Sequence, residues 1–598
     1  MYQNFNILPA APYKNRILRL RTILREYNLD GFLIPRTDLY QNEYIEACDA
    51  RLEWITGFTG SAGLCLVTQK SAFVFVDGRY ETQISKEIDT SLFTVLQSSK
   101  ISFKDWFQLN CNKKTIGYDP WLHSVSEIAN LTSSSYTKAN IKQCTNLVDL
   151  IWTEKPRRVD LSVSIHDQKF SGVSSQIKRK AISNAITKKK IDAVILTKPD
   201  SICWLLNIRG KDIIHTPTIQ CLAIIKKNSE VKLFIRNKNL PANVVSFLGD
   251  GVEVFDQDSF PNYILGLKDQ DIQIDPSFCP IAVYDLLRSC NKTIFQEADP
   301  CLLPKAIKNS TEIKGCKEAH IVDAASFIRF LHWLDSKKET KNLNEILVTR
   351  KLEEFRISSG LLEEIAFDTI CGFGSNGAIV HYRVTEKTNK KIDNNNLLLI
   401  DSGGQYKMGT TDLTRTIAMG KPTQKMIDIF TLVLKGMITV SNLKWPKGLS
   451  GQFIDSFARQ SLWSRGLDYE HGTGHGIGSY LSVHEGPHGL TRKNSIPLEA
   501  GMLTSNEPGY YEVGEFGIRI ENILLIKKIK REPHTNHQML GFETLTLVPI
   551  DKKLINENLL SAEEKNWLNS YHKLVFKKIA PLLDSKIRNW LRDECSAI

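Results

Sequence analysis

Two stretches decide how the rest of this chain is interpreted: HGTGHGIGSYLSVHEGP (residues 471–487) and TSNEPGYYEVGEFGIRIENILLI (residues 504–526). The two stretches place potential metal ligands close together in the sequence: His471, His475, His484, Glu507 and Glu521. His475 lies between Gly474 and Gly476, which have no side chain to keep a metal or another strand away. A Gly-flanked histidine alone is a weak signal, so its neighbours have to be considered with it.

The two glutamates are predicted to lie at strand positions. Glu507 precedes Pro508-Gly509, a turn signal, so we expect it to close a strand. Apolar and polar residues alternate around Glu521, which puts Arg519 and Glu521 on one face of a strand. A carboxylate on a core strand needs a compensating charge, and a metal ion can supply it. We expect Arg519 to orient the ligand carboxylates.

Two aspartates upstream extend the pattern. The apolar run 397–400 leads into Asp401, and a second predicted strand, 410–416, carries Asp412. Paired as a hairpin, these strands would bring both carboxylates to one place. Four carboxylates and one imidazole suit two divalent ions about 3.5–4 Å apart, bridged by carboxylates and by a water or hydroxide. Ligation rich in oxygen favours Mn or Mg over a thiolate-type zinc site.

At these residues the chain resembles the pita-bread metallopeptidases, and within them the Xaa-Pro aminopeptidase family. The resemblance implies two divalent metal ions held by Asp401, Asp412, His475, Glu507 and Glu521. Mn²⁺ is the metal that we expect there. It implies an aminopeptidase that hydrolyses the bond before a proline at the second position of a peptide. The proline preference and a homodimer come from the family alone.

The resemblance also assigns roles outside the ligand set. It places His381 near the scissile peptide, makes His484 a stabiliser of the tetrahedral intermediate and lets Glu507 relay a proton. His471 matches a substrate-contacting position, and Arg79 one that reaches the substrate or a neighbouring active site. The alternatives are a core position for His381, a loop cap for His484, a structural role for His471 and a salt bridge for Arg79.

The domain organisation is predicted from a weak internal repeat. A basic helix and a strand at 12–35 recur at 173–196, and a Trp-containing segment follows each copy. The repeat predicts a duplicated α/β domain in a mixed α/β (α+β) protein. The resemblance implies that these are two creatinase-N-like α/β domains, followed by a pita-bread catalytic domain that has a curved antiparallel sheet. The predicted bounds are 1–160, 161–310 and 311–598. The motifs that support the first two domains are WITGFTGSAG (54–63), VDGRY (76–80) and DSICWLLNIRG (200–210).

Helical periodicity dominates the catalytic region outside the ligand segments. Apolar residues at helix-like spacing predict helices over 308–338, 343–358, 424–441 and 450–466, with one or two more in 561–594. Helices beside a curved sheet fit the pita-bread fold.

Composition excludes several classes of protein. The chain has 598 residues, a net charge of +11 and 24% charged residues, but its basic residues are scattered, which does not favour nucleic-acid binding. Its 12 cysteines include no Cys-x-x-Cys pair, as expected for reduced thiols in the cytoplasm. We expect no signal peptide and no membrane partner, because no apolar run is long enough.

Two other functions remain open. Prolidase cleaves Xaa-Pro dipeptides with the same ligands, although the extra amino-terminal domain argues against it, and activity on a tripeptide would discriminate. A peptide- or protein-binding protein on a non-catalytic pita-bread domain is the other alternative. Such proteins lose ligands, whereas all five are present here.

Overall fold

The computed structural model describes residues 1–6, 11–133, 139–158, 163–236, 240–337, 342–530 and 536–598. The chain divides into two compact units. An amino-terminal unit comprises Pro9–Gln168 and Val173–Leu302, and a carboxyl-terminal unit comprises Met1–Leu8, Lys169–Gly172 and Leu303–Ile598. The predicted boundary between residues 160 and 161 lies outside the described residues, and the three-domain division stays a prediction.

The first half of the amino-terminal unit is a six-stranded mixed sheet with helices. Its strands are β1 (Gly31–Pro35), β2 (Leu64–Thr68), β3 (Ala72–Val76), β4 (Thr94–Gln97), β5 (Thr115–Tyr118) and β6 (Asn140–Gln143). Its helices are α1 (Tyr13–Glu26), α2 (Arg51–Thr56), α3 (Glu81–Glu87), α4 (Phe103–Asn110) and α5 (Val125–Thr132). The strands lie in the order β4-β3-β2-β1-β5-β6.

The second half repeats this arrangement. Its strands are β7 (Ser164–Ile165), β8 (Ala193–Leu196), β9 (Ile208–Arg209), β10 (Cys221–Lys226), β11 (Val231–Ile235), β12 (Val252–Asp256), β13 (Asp271–Ile274) and β14 (Thr293–Gln296). The helices described between β6 and residue 307 are α6 (Gln168–Ser171), α7 (Ser175–Lys188), α8 (Pro199–Leu206), α9 (Ala242–Leu248), α10 (Phe260–Leu265), α11 (Ile281–Ser289) and α12 (Leu302–Ala306). The six-stranded sheet has the order β12-β11-β10-β8-β13-β14.

The two sheets have the same topology. Counting β8 as the first strand of the second sheet, both follow the order 4-3-2-1-5-6, with antiparallel pairs at the centre and parallel pairs outside. One apolar core takes side chains from both copies, among them Phe75 and Trp106 from the first and Phe234 and Phe260 from the second. The sequence repeat therefore reflects a duplicated α/β unit.

The carboxyl-terminal unit is built on antiparallel strands. They are β15 (Leu362–Ile365), β16 (Ile370–Phe373), β17 (Asn395–Ser402), β18 (Gly404–Tyr406), β19 (Gly409–Thr410), β20 (Leu413–Gly420), β21 (Lys444–Pro446), β22 (Gly474–Gly476), β23 (Glu485–Leu490), β24 (Leu503–Asn506), β25 (Gly509–Glu512), β26 (Phe516–Arg519), β27 (Asn522–Lys528) and β28 (Met539–Thr544). They form sheets β15-β18-β19, β16-β17-β20 and β21-β28-β27-β24-β22-β23, and the hairpin β25-β26.

Six helices accompany these strands at the predicted places. They are α13 (Ser310–Lys337), α14 (Glu345–Ile357), α15 (Gln424–Asn442), α16 (Gly451–Trp463), α17 (Ala562–Ile579) and α18 (Ser585–Glu594). Side-chain caps start several of them: Thr423 accepts from Met426 N, and Ser561 and Glu564 form a capping box. In the part of the chain that the structure describes, the helices are too short or too polar to span a bilayer.

The first residues of the chain pack on the carboxyl-terminal unit. Phe5 is 5% exposed and lies in an apolar cluster with Ile346, Tyr382 and Leu399. Its carbonyl oxygen accepts from Glu386 N (2.9 Å). Nothing in the sequence pattern of this short segment predicts such a contact.

Candidate metal centre

The two aspartates are brought together by the predicted strand pair. β17 and β20 pair antiparallel, with Asp401 opposite Thr414 and Ser402 opposite Leu413. Asp412 directly precedes β20, and both aspartates are buried, at 7% and 4% exposure. The strand pair thus places two carboxylates at one end of its ladder.

His475 is the middle residue of β22 and is half-buried. Its Nε2 lies 3.6 Å from Asp412 Oδ2 and 3.4 Å from Glu507 Oε1. Its Nδ1 lies 3.0 Å from Gly476 O, and a carbonyl oxygen can only accept. Nδ1 therefore carries the proton of the neutral ring, and Nε2 presents its lone pair to the carboxylates, as a metal-ligating histidine does.

The glycines around His475 admit neighbouring backbone. A Cβ on Gly474 would lie 2.0 Å from Ser505 O, and one on Gly476 would lie 2.2 Å from Glu485 O. Only glycine fits β22 between β23 and β24 at these two positions. The close approach predicted from the motif is thus made by backbone.

The two glutamates reach the same place from β24 and β27. Glu507 follows β24, as predicted, and its Oε1 accepts from Ser505 Oγ (3.0 Å). Glu521 lies between β26 and β27, and its Oε2 accepts from Thr414 Oγ1 (2.8 Å). Ligand atoms of Asp412, His475 and Glu521 all lie within 4.8 Å of one another.

The strand predicted through Glu521 is interrupted there. β26 ends at Arg519 and β27 begins at Asn522, so Ile520 and Glu521 lie between them. Glu521 N donates to Thr414 O (3.1 Å), a bond to β20 rather than to the strands on either side. The interruption lets the chain pass from the hairpin to the large sheet while Glu521 stays against β20.

The site concentrates negative charge that the protein does not balance. Burial and the charges of Glu521 and Asp401 raise the pKa of Asp412 well above its usual range. Burial and the charges of Glu507 and Asp401 do the same to the pKa of Glu521. Burial, opposed by the positive charge of Arg519, raises the pKa of Glu507 to about 7. Carboxylates held this close favour either a proton or a cation among them.

Unsatisfied oxygens point to a cation. Within the predicted ligand set, three buried carboxylate oxygens have no hydrogen-bond donor: Asp401 Oδ1, Asp412 Oδ1 and Glu521 Oε1. Buried acceptors without a donor are rare in folded proteins. Hard, oxygen-preferring divalent cations match this donor set, so the residues fit the predicted metal site.

A hydrogen-bonded chain leads from Asp401 to His471. Arg519 donates through Nη2 to Asp401 Oδ2 (2.6 Å) and through Nη1 to Tyr511 Oη (2.7 Å). Tyr511 Oη lies 2.8 Å from His471 Nε2, while His471 Nδ1 donates to Gly472 O (2.8 Å). The Tyr511 hydroxyl therefore joins Arg519 to His471 by hydrogen bonds, and the direct bond from Arg519 to Asp401 is consistent with the orienting role predicted for Arg519.

His484 also lies at the site. Its ring packs edge-on against that of His475, with 4.3 Å between the centroids, and it opposes the rise in the pKa of Glu507. The next residue, Glu485, is buried and paired with Lys305 Nζ (3.0 Å) and with Lys308. His484 is therefore attached to a firmly held strand.

The remaining predicted residues are His381 and Arg79. His381 is half-buried at the end of the segment that follows β16, whose Ile370 pairs with Asp401. Arg79 belongs to the amino-terminal unit, where Nε and Nη2 donate to both carboxylate oxygens of Asp77 (2.9 and 2.7 Å). This is the salt bridge that the sequence left open as the alternative for Arg79.

Sequence reasoning missed the polar residues that hold the ligands. Thr414, Ser505 and Tyr511 are ordinary strand residues by type, and Thr414 and Ser505 lie in strands whose neighbouring residues are buried as well, so no alternation marks them. Tyr511 stands in the motif 507–511, so its proximity to Glu507 was the available signal.

Comparison with known proteins places these residues in a family. A model of metallopeptidase family M24 matches residues 314–528, and one of the C-terminal region of peptidase M24 matches 538–598. Two models of the creatinase/prolidase N-terminal domain match 16–151 and 154–312. A probable Xaa-Pro aminopeptidase P of Laccaria bicolor is 38% identical over 98% of this chain and 93% of its own. The chain belongs to the Xaa-Pro aminopeptidase P family.

Other members of this family agree along the whole length. Xaa-Pro aminopeptidase 1 of Dictyostelium discoideum is 37% identical over 98% of this chain and 97% of its own. The crystal structure of X-prolyl aminopeptidase from Caenorhabditis elegans superposes with a TM-score of 0.94 at 30% identity, covering 98% of this chain and 100% of that one. That protein is described as a cytosolic enzyme with a di-nuclear active site.

Proposed function

We propose that this protein is a metal-dependent aminopeptidase that removes the first residue of peptides with proline at the second position. The observation that carries the proposal is 38% identity over 98% of the chain to a protein described as a probable Xaa-Pro aminopeptidase P. The carboxylate and histidine cluster of the carboxyl-terminal unit supports it. Prolidase and non-catalytic binding become outcomes of the test.

Five residues would hold two divalent cations: Asp401, Asp412, His475, Glu507 and Glu521. Mn²⁺ is the proposed metal, because four of the five ligands are carboxylates. Cations bound there would supply a nucleophilic hydroxide at neutral pH and would polarise the scissile carbonyl. The unsatisfied oxygens of Asp401, Asp412 and Glu521 support this assignment.

The chain's own residues would handle protons and charge. Glu507 would take the proton of the attacking water on its carboxylate and deliver it to the leaving proline nitrogen. His484, beside Glu507, would donate to the carbonyl oxygen as negative charge develops on it. His381 would donate to the scissile peptide, and His471, fixed by Tyr511, would contact the substrate. For Arg79 a substrate contact stays a prediction, since its guanidinium already pairs with Asp77.

We further propose a cytoplasmic homodimer. All twelve cysteines are free, and the Caenorhabditis elegans relative is described as cytosolic.

Three aromatic side chains on α16 are exposed: Phe453, Phe457 and Trp463, at 52, 43 and 43%. Light scattering of wild type and of Phe453→Ser/Phe457→Ser tests this surface. A monomeric wild type would contradict the dimer, and a dimeric variant would place the interface elsewhere.

The activity is tested with metal-stripped protein. We expect release of the first residue from an Xaa-Pro-Xaa tripeptide only after Mn²⁺ is added, and no cleavage of the matched Xaa-Ala-Xaa peptide. Cleavage confined to the Xaa-Pro dipeptide would replace the proposal with prolidase. Folded, Mn²⁺-loaded protein that cleaves neither would support a non-catalytic role.

A further inference from the structure

Arg415 is a buried guanidinium between the candidate metal centre and the carboxyl-terminal tail, which comprises the residues after β28 (545–598). It is 2% exposed and directly follows Thr414 on β20. Its donors reach carbonyl, amide and phenol oxygens: Nε to Pro549 O (3.0 Å), Nη1 to Thr414 O (2.8 Å) and Glu521 O (2.6 Å), Nη2 to Asn522 Oδ1 (2.9 Å), Val548 O (2.7 Å) and Tyr571 Oη (2.9 Å). A buried charge is costly, and these six acceptors compensate it.

On one side, Arg415 holds the backbone that carries a ligand. A single nitrogen, Nη1, donates to the carbonyls of both Thr414 and Glu521. These two residues also contact each other through the Thr414 hydroxyl and the Glu521 carboxylate (2.8 Å). Arg415 therefore fixes the segment between β26 and β27, where no strand ladder holds Glu521.

On the other side, Arg415 holds the tail. Val548 and Pro549 belong to the segment that leads from β28 toward α17, and Tyr571 lies on α17. The Tyr571 hydroxyl accepts from Arg415 Nη2 and donates to Val548 O (2.7 Å). Its ring stacks on Trp567, with centroids 5.2 Å apart and planes at 6°. Tyr571 thus connects the guanidinium, and Val548 O beside it, to α17.

We propose that Arg415 is a positioning residue for Glu521, and that the tail contributes to metal binding at this site through the Tyr571 hydroxyl and the carbonyl groups of residues 548 and 549. The inference rests on the proposed metal site. A lysine cannot replace Arg415, because an ammonium lacks the planar fork that reaches β20, β27 and the tail together. Loss of the Tyr571 hydroxyl removes one acceptor of the Arg415 guanidinium and weakens its contact with the tail.

The test measures Mn²⁺ affinity by calorimetry, without peptide substrate. For Arg415→Lys we expect affinity to fall about 10- to 100-fold, the usual range when a residue that supports metal ligands is changed. For Tyr571→Phe, which keeps the ring and its stacking, a smaller fall of about threefold is expected because the guanidinium loses only one of its six acceptors. Arg588→Lys is the matched control, since Arg588 holds tail carbonyls at Ala580 and Leu583 and none near a ligand.

The controls separate positioning from stability. Arg588→Lys is expected to lower the melting temperature and to bind Mn²⁺ as wild type does. Wild-type Mn²⁺ affinity in folded Tyr571→Phe and Arg415→Lys would overturn the inference. If Arg415→Lys does not fold, Tyr571→Phe decides alone. If wild type cleaves no Xaa-Pro peptide while Tyr571→Phe still weakens Mn²⁺ binding, the proposed function fails and the inference stands.

Discussion

Asp412 is the predicted ligand whose charge most clearly requires a cation, because burial and the neighbouring carboxylates both raise its pKa. Its carboxylate is buried among three others, so Asp412→Ala should abolish tripeptide hydrolysis. Because the folded state raises the pKa of Asp412, its charged form destabilises the metal-free protein. Metal-free Asp412→Ala should therefore melt at or above the temperature of metal-free wild type, as calorimetry would show. Retained turnover would remove Asp412 from the site, and a large fall in melting temperature would contradict the electrostatic argument.

The Tyr511 hydroxyl is hydrogen-bonded to both Arg519 and His471, and its ring contacts both side chains as well. Tyr511→Phe keeps the ring but loses both hydrogen bonds of the hydroxyl, and should lower kcat/KM about tenfold, an effect of about 1.4 kcal/mol. The Mn²⁺ content should stay unchanged, since Arg519 still contacts Asp401. The neighbouring Tyr510→Phe is the matched control, because its hydroxyl donates only to Glu512, outside the metal cluster. Equal activity in both variants would show that the chain to His471 does not matter.

At the scale of elements, α17 carries a titratable contact that gives the fold a pH dependence. His572 is buried and accepts from Ile550 N (3.1 Å), and burial lowers its pKa to about 3. The unfolded chain takes up this proton below pH 6.5 and the folded chain does not, so stability falls from pH 6.5 toward pH 3. By pH 5 the loss is about 2 kcal/mol.

His572→Gln keeps an acceptor for Ile550 and removes the titration. In urea unfolding of metal-free protein, the loss of stability between pH 7.5 and pH 5 should be smaller in His572→Gln than in wild type by that amount. The acidic cluster titrates in both proteins and cancels in the comparison. Identical losses would show that His572 does not contribute.

The amino-terminal segment is a second element whose docking can be tested. Phe5→Ala empties an apolar site and should weaken docking by about 3 kcal/mol. Because Glu386 N donates to Phe5 O, its amide should exchange faster with solvent in the variant. Tyr2→Phe is the control, since the Tyr2 hydroxyl reaches only Glu363 O at the surface. Unchanged exchange at residue 386 in Phe5→Ala would contradict the docking.

At the scale of the whole molecule, the helices and strands and their approximate order could be predicted from the sequence. Alternation and turn residues are local signals, so the β17–β20 pair and the strand before Glu507 were predictable. The repeat at 12–35 and 173–196 predicted two copies whose sheets have one topology. The same local signals predicted one strand through Glu521, where the structure has a break.

Contacts between distant segments were not predictable. Arg415 meets Tyr571 across 156 positions of the chain, and Phe5 meets the 346–399 region through a segment without periodicity. No local pattern encodes either contact, because each depends on how complete elements pack. The salt bridge of Arg79 with Asp77 was open from the sequence, since both that bridge and a substrate contact use the same guanidinium.

The central claim is that five residues of the carboxyl-terminal unit hold two divalent cations. Equilibrium dialysis with Mn²⁺, followed by elemental analysis, measures it directly in wild type and in Asp412→Ala. We expect two ions bound per wild-type chain and fewer than two in the folded variant. A wild-type chain without bound Mn²⁺, or a variant that binds two ions as wild type does, would contradict the account.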